Sequence, residues 1–82
     1  MESAYVPAMD QQTPQQRIGK VFRTRRKALG HSQDSYADVI GMHRAYYSAV
    51  ERGERNLTLD TMLKVAGGLE VCLSKIFAEA GL

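Results

Sequence analysis

The side chains that carry most enzyme chemistry are scarce in this 82-residue chain. It contains two histidines, His31 and His43, and one cysteine, Cys72. Both histidines stand at predicted helix starts with no obvious acidic partner in the sequence, and one cysteine cannot assemble a cysteine-based zinc site. Gly67-Gly68 lies late in a helical pattern, and no glycine-rich phosphate loop is present. We therefore expect no catalytic residue, no metal site and no cofactor.

Positive charge is concentrated in one stretch of the chain. Residues 14–30 contain no acidic side chain, whereas residues 31–82 carry slightly more acidic than basic side chains. The basic residues of this block are Arg17, Lys20, Arg23, Arg25, Arg26 and Lys27. Such an asymmetric block is typical of a protein that binds a polyanion, although a solvated helix face would give the same run. Which interpretation applies depends on the structural motif in which the block lies.

The first boundary lies between a tail and a folded domain. Residues 1–13 are polar and rich in glutamine, and they predict a flexible tail. Residues 14–82 are the right length for one domain. Thr13, Pro14 and Gln16 have the types and spacing of a capping box with proline at the first helical position, so a first helix should run over residues 14–29. Gly30 then predicts its end.

Two short helices joined by a turn should follow. Ser32 opens the second helix as its N-cap and Gly41 ends it, and a third helix of roughly ten residues ends before Gly53. Thr58 caps the fourth helix. Cys72 or Leu73 begins the fifth helix, and Gly81 ends it. A pair of short helices with a tight glycine turn is the helix-turn-helix arrangement. Because no strand alternation or hairpin signal is present, the predicted fold is all-α, a compact domain of five helices.

The pattern of residues 18–77 resembles the Cro/repressor (XRE) family of helix-turn-helix regulators. The matching residues are 32–37 (SQDSYA), Gly41, 47–53 (YSAVERG) and 56–60 (NLTLD). The resemblance implies a phage-repressor-like fold and a transcriptional regulator that binds double-stranded DNA as a homodimer on a palindromic or pseudopalindromic operator. Within the family, residues 43–46 (HRAY) and the segment that follows them resemble the controller proteins of restriction–modification systems.

Three positions depart from the family pattern. Tyr47 falls where the family usually has isoleucine or valine, so either the core is repacked around a ring or Tyr47 leans out of it. Cys72 replaces the serine or aspartate that usually caps the last helix. His43 replaces the threonine, serine or aspartate that usually caps the recognition helix, and this change bears on base reading.

Base reading should fall to the start of the third helix, because that part of the motif reaches the base edges of the major groove. Arg44 is the strongest candidate, since its planar fork matches the O6 and N7 acceptors of guanine. A phosphate contact or a surface salt bridge is the alternative for this side chain. The predicted base-reading residues are His43, Arg44, Ala45, Tyr46, Ser48 and Ala49.

Phosphate contacts should come from helix N-termini and basic loops. Ser32 and Thr58 can serve as simple caps at the same time. The predicted phosphate-binding residues are Ser32, Gln33, Tyr47, Arg52, Arg55, Asn56 and Thr58. The family also pairs a basic residue near the end of the first helix with the glutamate that ends the recognition helix. The resemblance therefore implies a structural pair of Arg26 and Glu51.

The fifth helix is more apolar than one short terminal helix needs to be. Part of it should pack on the first and fourth helices, and the remainder favours a two-fold contact between copies. The predicted dimer interface consists of Leu73, Ile76, Phe77, Ala80 and Leu82. The expected partners are thus double-stranded DNA and a second copy of the chain, with no membrane and no small-molecule effector.

A single thiol suits a reducing compartment, so the sequence favours a cytoplasmic, nucleoid-associated protein of bacterial or phage origin. The competing function is an interaction module of the antitoxin type, whose main partner is a protein. The apolar fifth helix fits either function. Direct binding to a palindromic site would favour the regulator, and a toxin gene beside this one would favour the antitoxin.

Overall fold

The computed structural model describes residues 12–54 and 56–82. They form the helices α1 (Pro14–Ala28), α2 (Gln33–Val39), α3 (Arg44–Arg52), α4 (Leu59–Gly68) and α5 (Leu73–Glu79). No strand occurs within these two ranges, so the predicted all-α class and the five-helix order are confirmed. The same ranges contain no helix that is both long and apolar enough to cross a membrane. Most of the predicted tail, residues 1–11, lies outside the described residues.

Polar caps start most of the helices where the sequence predicted them. The Thr13 hydroxyl accepts a hydrogen bond from the Gln16 backbone N–H at 3.0 Å, and the Gln16 side chain accepts one from the Thr13 N–H at 2.9 Å. Ser32 and Thr58 cap α2 and α4 in the same manner. Cys72 makes no side-chain cap at α5. The caps satisfy backbone donors that a helix start otherwise leaves unpaired.

The core lies where the five helices meet. α1 packs against α3 and α5, α2 packs against α3, and α4 packs against α5. The largest fully buried side chains are Tyr36, Tyr47, Phe22, Ile76, Val50 and Val65. The Tyr36 hydroxyl donates to the Val65 carbonyl, and burial raises the pKa of Tyr36 to about 12. Each buried hydroxyl thus has a partner, as burial of a polar group requires.

The turn between α2 and α3 is closed by its backbone. Gly41 has φ of 69°, a left-handed conformation that glycine adopts without steric cost. The Met42 N–H then donates to the Ala37 carbonyl at 2.8 Å, and the small Ala37 side chain is fully buried. The chain can therefore reverse tightly and place α3 directly against α2.

α1 and α3 approach each other at a glycine. A Cβ atom on Gly19 would lie 2.4 Å from the Glu51 carbonyl oxygen and 2.7 Å from that of Val50. These contacts are with backbone atoms, which cannot rotate away as a flexible side chain could. Gly19 thereby fixes how closely the third helix lies on the first.

A buried carboxylate joins three helices. The Glu51 carboxylate of α3 accepts hydrogen bonds from Arg26 Nε at 2.7 Å and Nη2 at 3.0 Å, from Gln33 Nε2 at 2.8 Å, and from the Tyr47 hydroxyl. These donors lie on α1, α2 and α3. The four bonds occupy about all the acceptor positions that a carboxylate offers. The structure thus contains the ion pair of Arg26 and Glu51 and adds two partners that the sequence did not indicate.

The ionisation of this cluster follows from its contacts. Burial by itself raises the pKa of the Glu51 carboxyl, but the hydrogen bonds from Arg26, Tyr47 and Gln33 outweigh it, and the pKa falls below its ordinary value. The Arg26 Nη1 also donates to the His31 carbonyl at 2.8 Å. Both Arg26 and Glu51 are therefore charged in the folded protein.

The close approach at Gly19 predicts an unusual response to alanine. Gly19→Ala should reduce the free energy of unfolding by about 1–3 kcal/mol through overpacking, although alanine favours helices over glycine. Gly67→Ala in α4 is the matched control, because nothing lies within 4 Å of its Cβ position. The free energy of unfolding of Gly67→Ala should rise by up to about 1 kcal/mol. Urea unfolding monitored by circular dichroism measures both, and equal effects of the two substitutions would contradict the close approach.

The Glu51 cluster predicts acid sensitivity. Because the pKa of Glu51 is lower in the folded than in the unfolded chain, its stabilisation is full above pH 4.5 and is lost as the pH falls through the folded value. Glu51→Gln should remove this part of the pH dependence and cost about 3–5 kcal/mol at neutral pH, because it leaves Arg26 buried without a counterion. Urea unfolding from neutral pH down to about pH 3 tests both effects. The prediction fails if Glu51→Gln and the wild type lose stability in parallel on acidification.

Candidate nucleic-acid interface

α3 has a buried side and an exposed side. Tyr47, Val50 and Glu51 face inward and are at most 7% exposed. Ala45 and Arg52 are exposed, and Ser48 between them is half-buried. Arg44 is exposed as well, and since residues 44, 45, 48 and 52 recur at helical spacing, they form one exposed stripe along the outside of the helix. The structure thus presents one face of α3 to an outside partner.

The first turn of α3 is organised by a histidine. His43 is the N-cap, and its Nδ1 accepts a hydrogen bond from the Ala45 N–H at 3.3 Å. The cap is exposed, as are Arg44 and Ala45 after it. His43 therefore replaces the usual capping oxygen with a ring nitrogen, and the first three predicted base-reading residues lie at an open helix start.

Arg44 is held by two aspartates of α2. Its Nε and Nη2 donate to the Asp38 carboxylate at 3.3 and 2.8 Å, and its Nη1 lies 3.5 Å from the Asp34 carboxylate. All three side chains remain about 60% exposed. The Arg44 hydrogen bond lowers the pKa of Asp38. The surface salt bridge that the sequence left open for Arg44 is thus present, but its partners were not predicted, although two aspartates four residues apart on the helix before the turn were a visible signal.

A second arginine is held at the other end of α3. The Arg52 Nε and Nη2 donate to the Glu54 carboxylate at 2.7 and 3.0 Å, and Nη1 donates to the Ser48 hydroxyl. Both charged side chains are more than half exposed. The outer stripe of α3 therefore carries a guanidinium at each end, and each is paired with a carboxylate of the same chain.

Tyr46 links α3 to α4. Its hydroxyl lies 3.4 Å from the Thr61 hydroxyl, and the ring is half-buried. His43, Tyr46, Asp60, Thr61 and Lys64 border an open cavity of about 320 Å³ between the two helices. The Tyr46 hydroxyl is thus held by α4, while part of the ring remains exposed beside the exposed stripe of α3.

The predicted phosphate contacts lie at helix starts, in a loop and on α3. Ser32 and Thr58 are exposed caps of α2 and α4, and Asn56 is exposed in the loop before α4. Gln33 is half-buried and uses one N–H to bind Glu51. Arg55 lies outside the described residues. The exposed members therefore remain available to an outside partner.

Two predicted DNA contacts require correction. Tyr47 is fully buried: its ring lies 5.4 Å from that of Tyr36, and its hydroxyl donates to Glu51. Of the two alternatives for this position, the repacked core is the observed one, so Tyr47 cannot contact phosphate. Ala49 is only 6% exposed, and its methyl group cannot reach a base edge. Both predictions fail because, in a helix with 3.6 residues per turn, Tyr47 and Ala49 lie outside the exposed stripe.

The basic block of α1 is divided between several tasks. Arg26 is buried against Glu51, and Arg25 forms an ion pair with Glu79 of α5. Lys20, Arg23 and Lys27 are exposed. Part of the block is therefore structural, and only its exposed members can attract a polyanion.

The apolar side chains of α5 face two environments. Ile76 is fully buried and Ala80 is 6% exposed, so the predicted interface role of these two residues is wrong. They fill the core of their own chain. Leu73 and Phe77 are half-buried, and Leu82 is 53% exposed. Phe77 and Leu82 border an apolar groove of about 280 Å³, together with Pro14, Gln15, Ile18, Leu57 and Met62.

In the part of the chain that the structure describes, no group of three or more histidine, cysteine, aspartate or glutamate side chains is placed to hold a metal ion. Within the same part, the exposed ion pairs of α3 join Arg44 and Arg52 to carboxylates. The chemistry of this surface is therefore that of charge and hydrogen bonding.

Comparison with known proteins identifies the family. The helix-turn-helix family HTH_3 matches residues 22–76. The control protein C.MunI of Mycoplasma is 37% identical over 60 residues, which cover 73% of this chain and 81% of that protein. The crystal structure of the restriction-modification controller protein C.AhdI from Aeromonas hydrophila superposes with a TM-score of 0.70 at 36% identity, covering 74% of this chain and 92% of that one.

A further solved structure contains DNA. It is the tetramer of the restriction-modification controller protein C.Esp1396I in complex with its natural 35 base-pair operator. It is 25% identical to this chain, with a TM-score of 0.74, and the match covers 88% of this chain and all of that one. From these matches we conclude that the chain belongs to the HTH_3 helix-turn-helix family, where its relatives include control proteins of restriction–modification systems.

Proposed function

We propose that this protein is a transcriptional regulator that binds a specific operator as a homodimer and controls a restriction–modification system. The observation that carries the proposal is the exposed stripe of α3, which opens on Arg44 and is fixed to the core by Glu51. Its relatives include control proteins, and the solved structure of a restriction-modification controller protein contains its operator. Members of this family are DNA-binding regulators without enzymatic activity, and this chain is one of them.

The dimensions of α3 suit the major groove. An α-helix with its side chains is about 10–12 Å wide, and the groove is about 12 Å wide. This motif contacts base edges with the start of its recognition helix. In α3 the exposed or half-exposed residues of that part are His43, Arg44, Ala45, Tyr46 and Ser48. Arg44 would bind guanine, and Ala45 would contact a thymine methyl group.

Phosphates would bind on either side of this helix. α2 and α4 begin at the exposed caps Ser32 and Thr58, and helix N-termini favour anions. Gln33, Arg52, Arg55 and Asn56 add donors or charge. The two strand backbones of one groove would then be held while α3 lies between them.

Self-association would use the remaining apolar surface of α5. Leu73, Phe77 and Leu82 are left partly or largely exposed after Ile76 and Ala80 are buried in the core. A two-fold contact through these residues and the adjoining groove removes apolar surface from water. It also presents two recognition helices about 34–36 Å apart, which is one turn of DNA.

Selection of bound sequences from a random DNA pool tests the function directly. A palindromic consensus with half-sites about one helical turn apart is the expected result. An antitoxin-type module would instead bind a protein partner tightly and enrich no sequence. We further propose that the protein acts in the bacterial cytoplasm at the nucleoid, where its DNA partner lies.

Arg44→Ala tests base reading. The substitution should weaken operator binding by about 1–3 kcal/mol per half-site and relax the preference at one base pair, because the guanine acceptors lose their bidentate partner. Lys75→Ala in α5 is the control for loss of one positive charge. Titrations of the selected operator and of its single-base variants measure both, and an unchanged base preference in Arg44→Ala would refute the assignment.

Phe77→Asp tests the interface. Because Phe77 is half-buried at the groove, the variant should remain helical but sediment as a monomer and bind the operator weakly. Ile76→Asp at the adjacent, fully buried position should instead unfold the chain, since it places a charge in the core. Sedimentation velocity with circular dichroism separates these outcomes. A wild-type protein that stays monomeric even on a palindromic site would exclude the dimer.

A further inference from the structure

The start of α3 has an unexpected charge balance for a DNA-reading element. Asp34 and Asp38 outnumber the one guanidinium they bind, and none of the three side chains is more than half-buried. A DNA duplex carries one negative charge per about 1.7 Å, so carboxylates at this place repel it. Two acidic side chains beside the main base-reading candidate therefore oppose binding to the DNA backbone.

Fold stability accounts for only a small part of this arrangement, namely for Asp34, which lies in the first turn of α2 where a negative charge favours the helix. Exposed ion pairs contribute little to stability, because water screens the charges and two flexible side chains must be ordered. By contrast, the buried Arg26–Glu51 pair already fixes α3 against α1. The aspartates are consequently free to serve a role in recognition.

We propose that Asp38, supported by Asp34, is a specificity-determining positioning residue that acts through Arg44. The inference rests on the proposed function, in which Arg44 reads a base. Asp38 holds the guanidinium by two donors, Nε and Nη2, and so directs its fork along one line from α2. A side chain oriented before binding loses less conformational freedom when it meets its target.

The carboxylates also discriminate between the two kinds of target that Arg44 can meet. Arg44 has five N–H donors, so Asp38 can keep Nε while the Nη groups turn to a base edge. A guanine edge has no net charge and tolerates a neighbouring carboxylate. A phosphate carries a full negative charge, and Asp34 and Asp38 repel it at the same distance. The pair therefore lowers non-specific binding more than specific binding.

The other end of α3 repeats the arrangement. Arg52 is bound through Nε and Nη2 to both oxygens of Glu54, as Arg44 is to Asp38. Both predicted DNA-binding arginines of α3 are thus neutralised within the chain before DNA arrives. With its arginines paired, α3 would search DNA with little affinity for the backbone. It would bind firmly only where base acceptors replace the carboxylate contacts of Arg44.

Asp38→Asn in the intact protein tests the proposal, with Glu70→Gln in the α4–α5 connection as the matched loss of one negative charge. Binding to the selected operator and to a random duplex is measured over a range of salt concentrations. Asp38→Asn should bind the random duplex more tightly and lower the specificity ratio about tenfold, which corresponds to about 1.4 kcal/mol. Its log–log salt slope on random DNA should steepen by about 0.9, the value for one added phosphate contact.

Repeating Asp38→Asn in the Arg44→Ala background isolates the action through arginine. The specificity loss should disappear there, because no guanidinium remains to be positioned. Asp38→Glu should retain most of the wild-type ratio, and circular dichroism should show all variants folded. If Asp38→Asn merely matches Glu70→Gln, or acts equally without Arg44, the positioning role is refuted while the regulator proposal stands. If the wild type prefers no sequence, the proposed function itself fails and this inference with it.

Discussion

The fold depends on one carboxylate that is saturated by hydrogen bonds inside the protein. Glu51 lies in the last turn of the recognition helix, and its acceptors are occupied by donors from α1, α2 and α3. A buried charge without partners would cost several kcal/mol, so any movement of α3 that breaks these bonds is strongly disfavoured. Gly19 adds a steric condition, because α1 and α3 touch through their backbones. Electrostatics and close packing together set the direction in which α3 faces outward.

Arginine–carboxylate pairs serve two different purposes in this molecule. Arg26–Glu51 is almost completely buried, and breaking it would leave an unpaired charge in the core. Arg44–Asp38 has the same bidentate geometry but stands in water, where the attraction is small and readily exchanged. The buried Arg26–Glu51 pair is consequently permanent, whereas the exposed Arg44–Asp38 pair can be replaced by other contacts. Burial, rather than the identity of the partners, decides which.

The small size of the domain explains the divided use of α5. A chain of this length buries a modest fraction of its surface, so its core needs Ile76 and Ala80 from the last helix. Phe77 and, beyond the end of α5, Leu82 remain partly exposed at the groove beside α1 and α4. A second copy packed there would extend the apolar core across a two-fold axis. The terminal helix thus contributes to the stability of one chain and offers a surface for the next.

The sequence by itself determined the helices and the motif, because caps, glycine stops and apolar spacing are local signals: Thr13, Ser32 and Gly41 stand where they were predicted to act. It could not determine which side of each helix the other helices cover, which depends on contacts between residues far apart in the chain. Tyr47 and Ala49 were therefore misassigned to DNA, and Ile76 and Ala80 to an interface. The bonds of Arg44 to Asp34 and Asp38 likewise exist only because a tight turn brings α3 back beside α2.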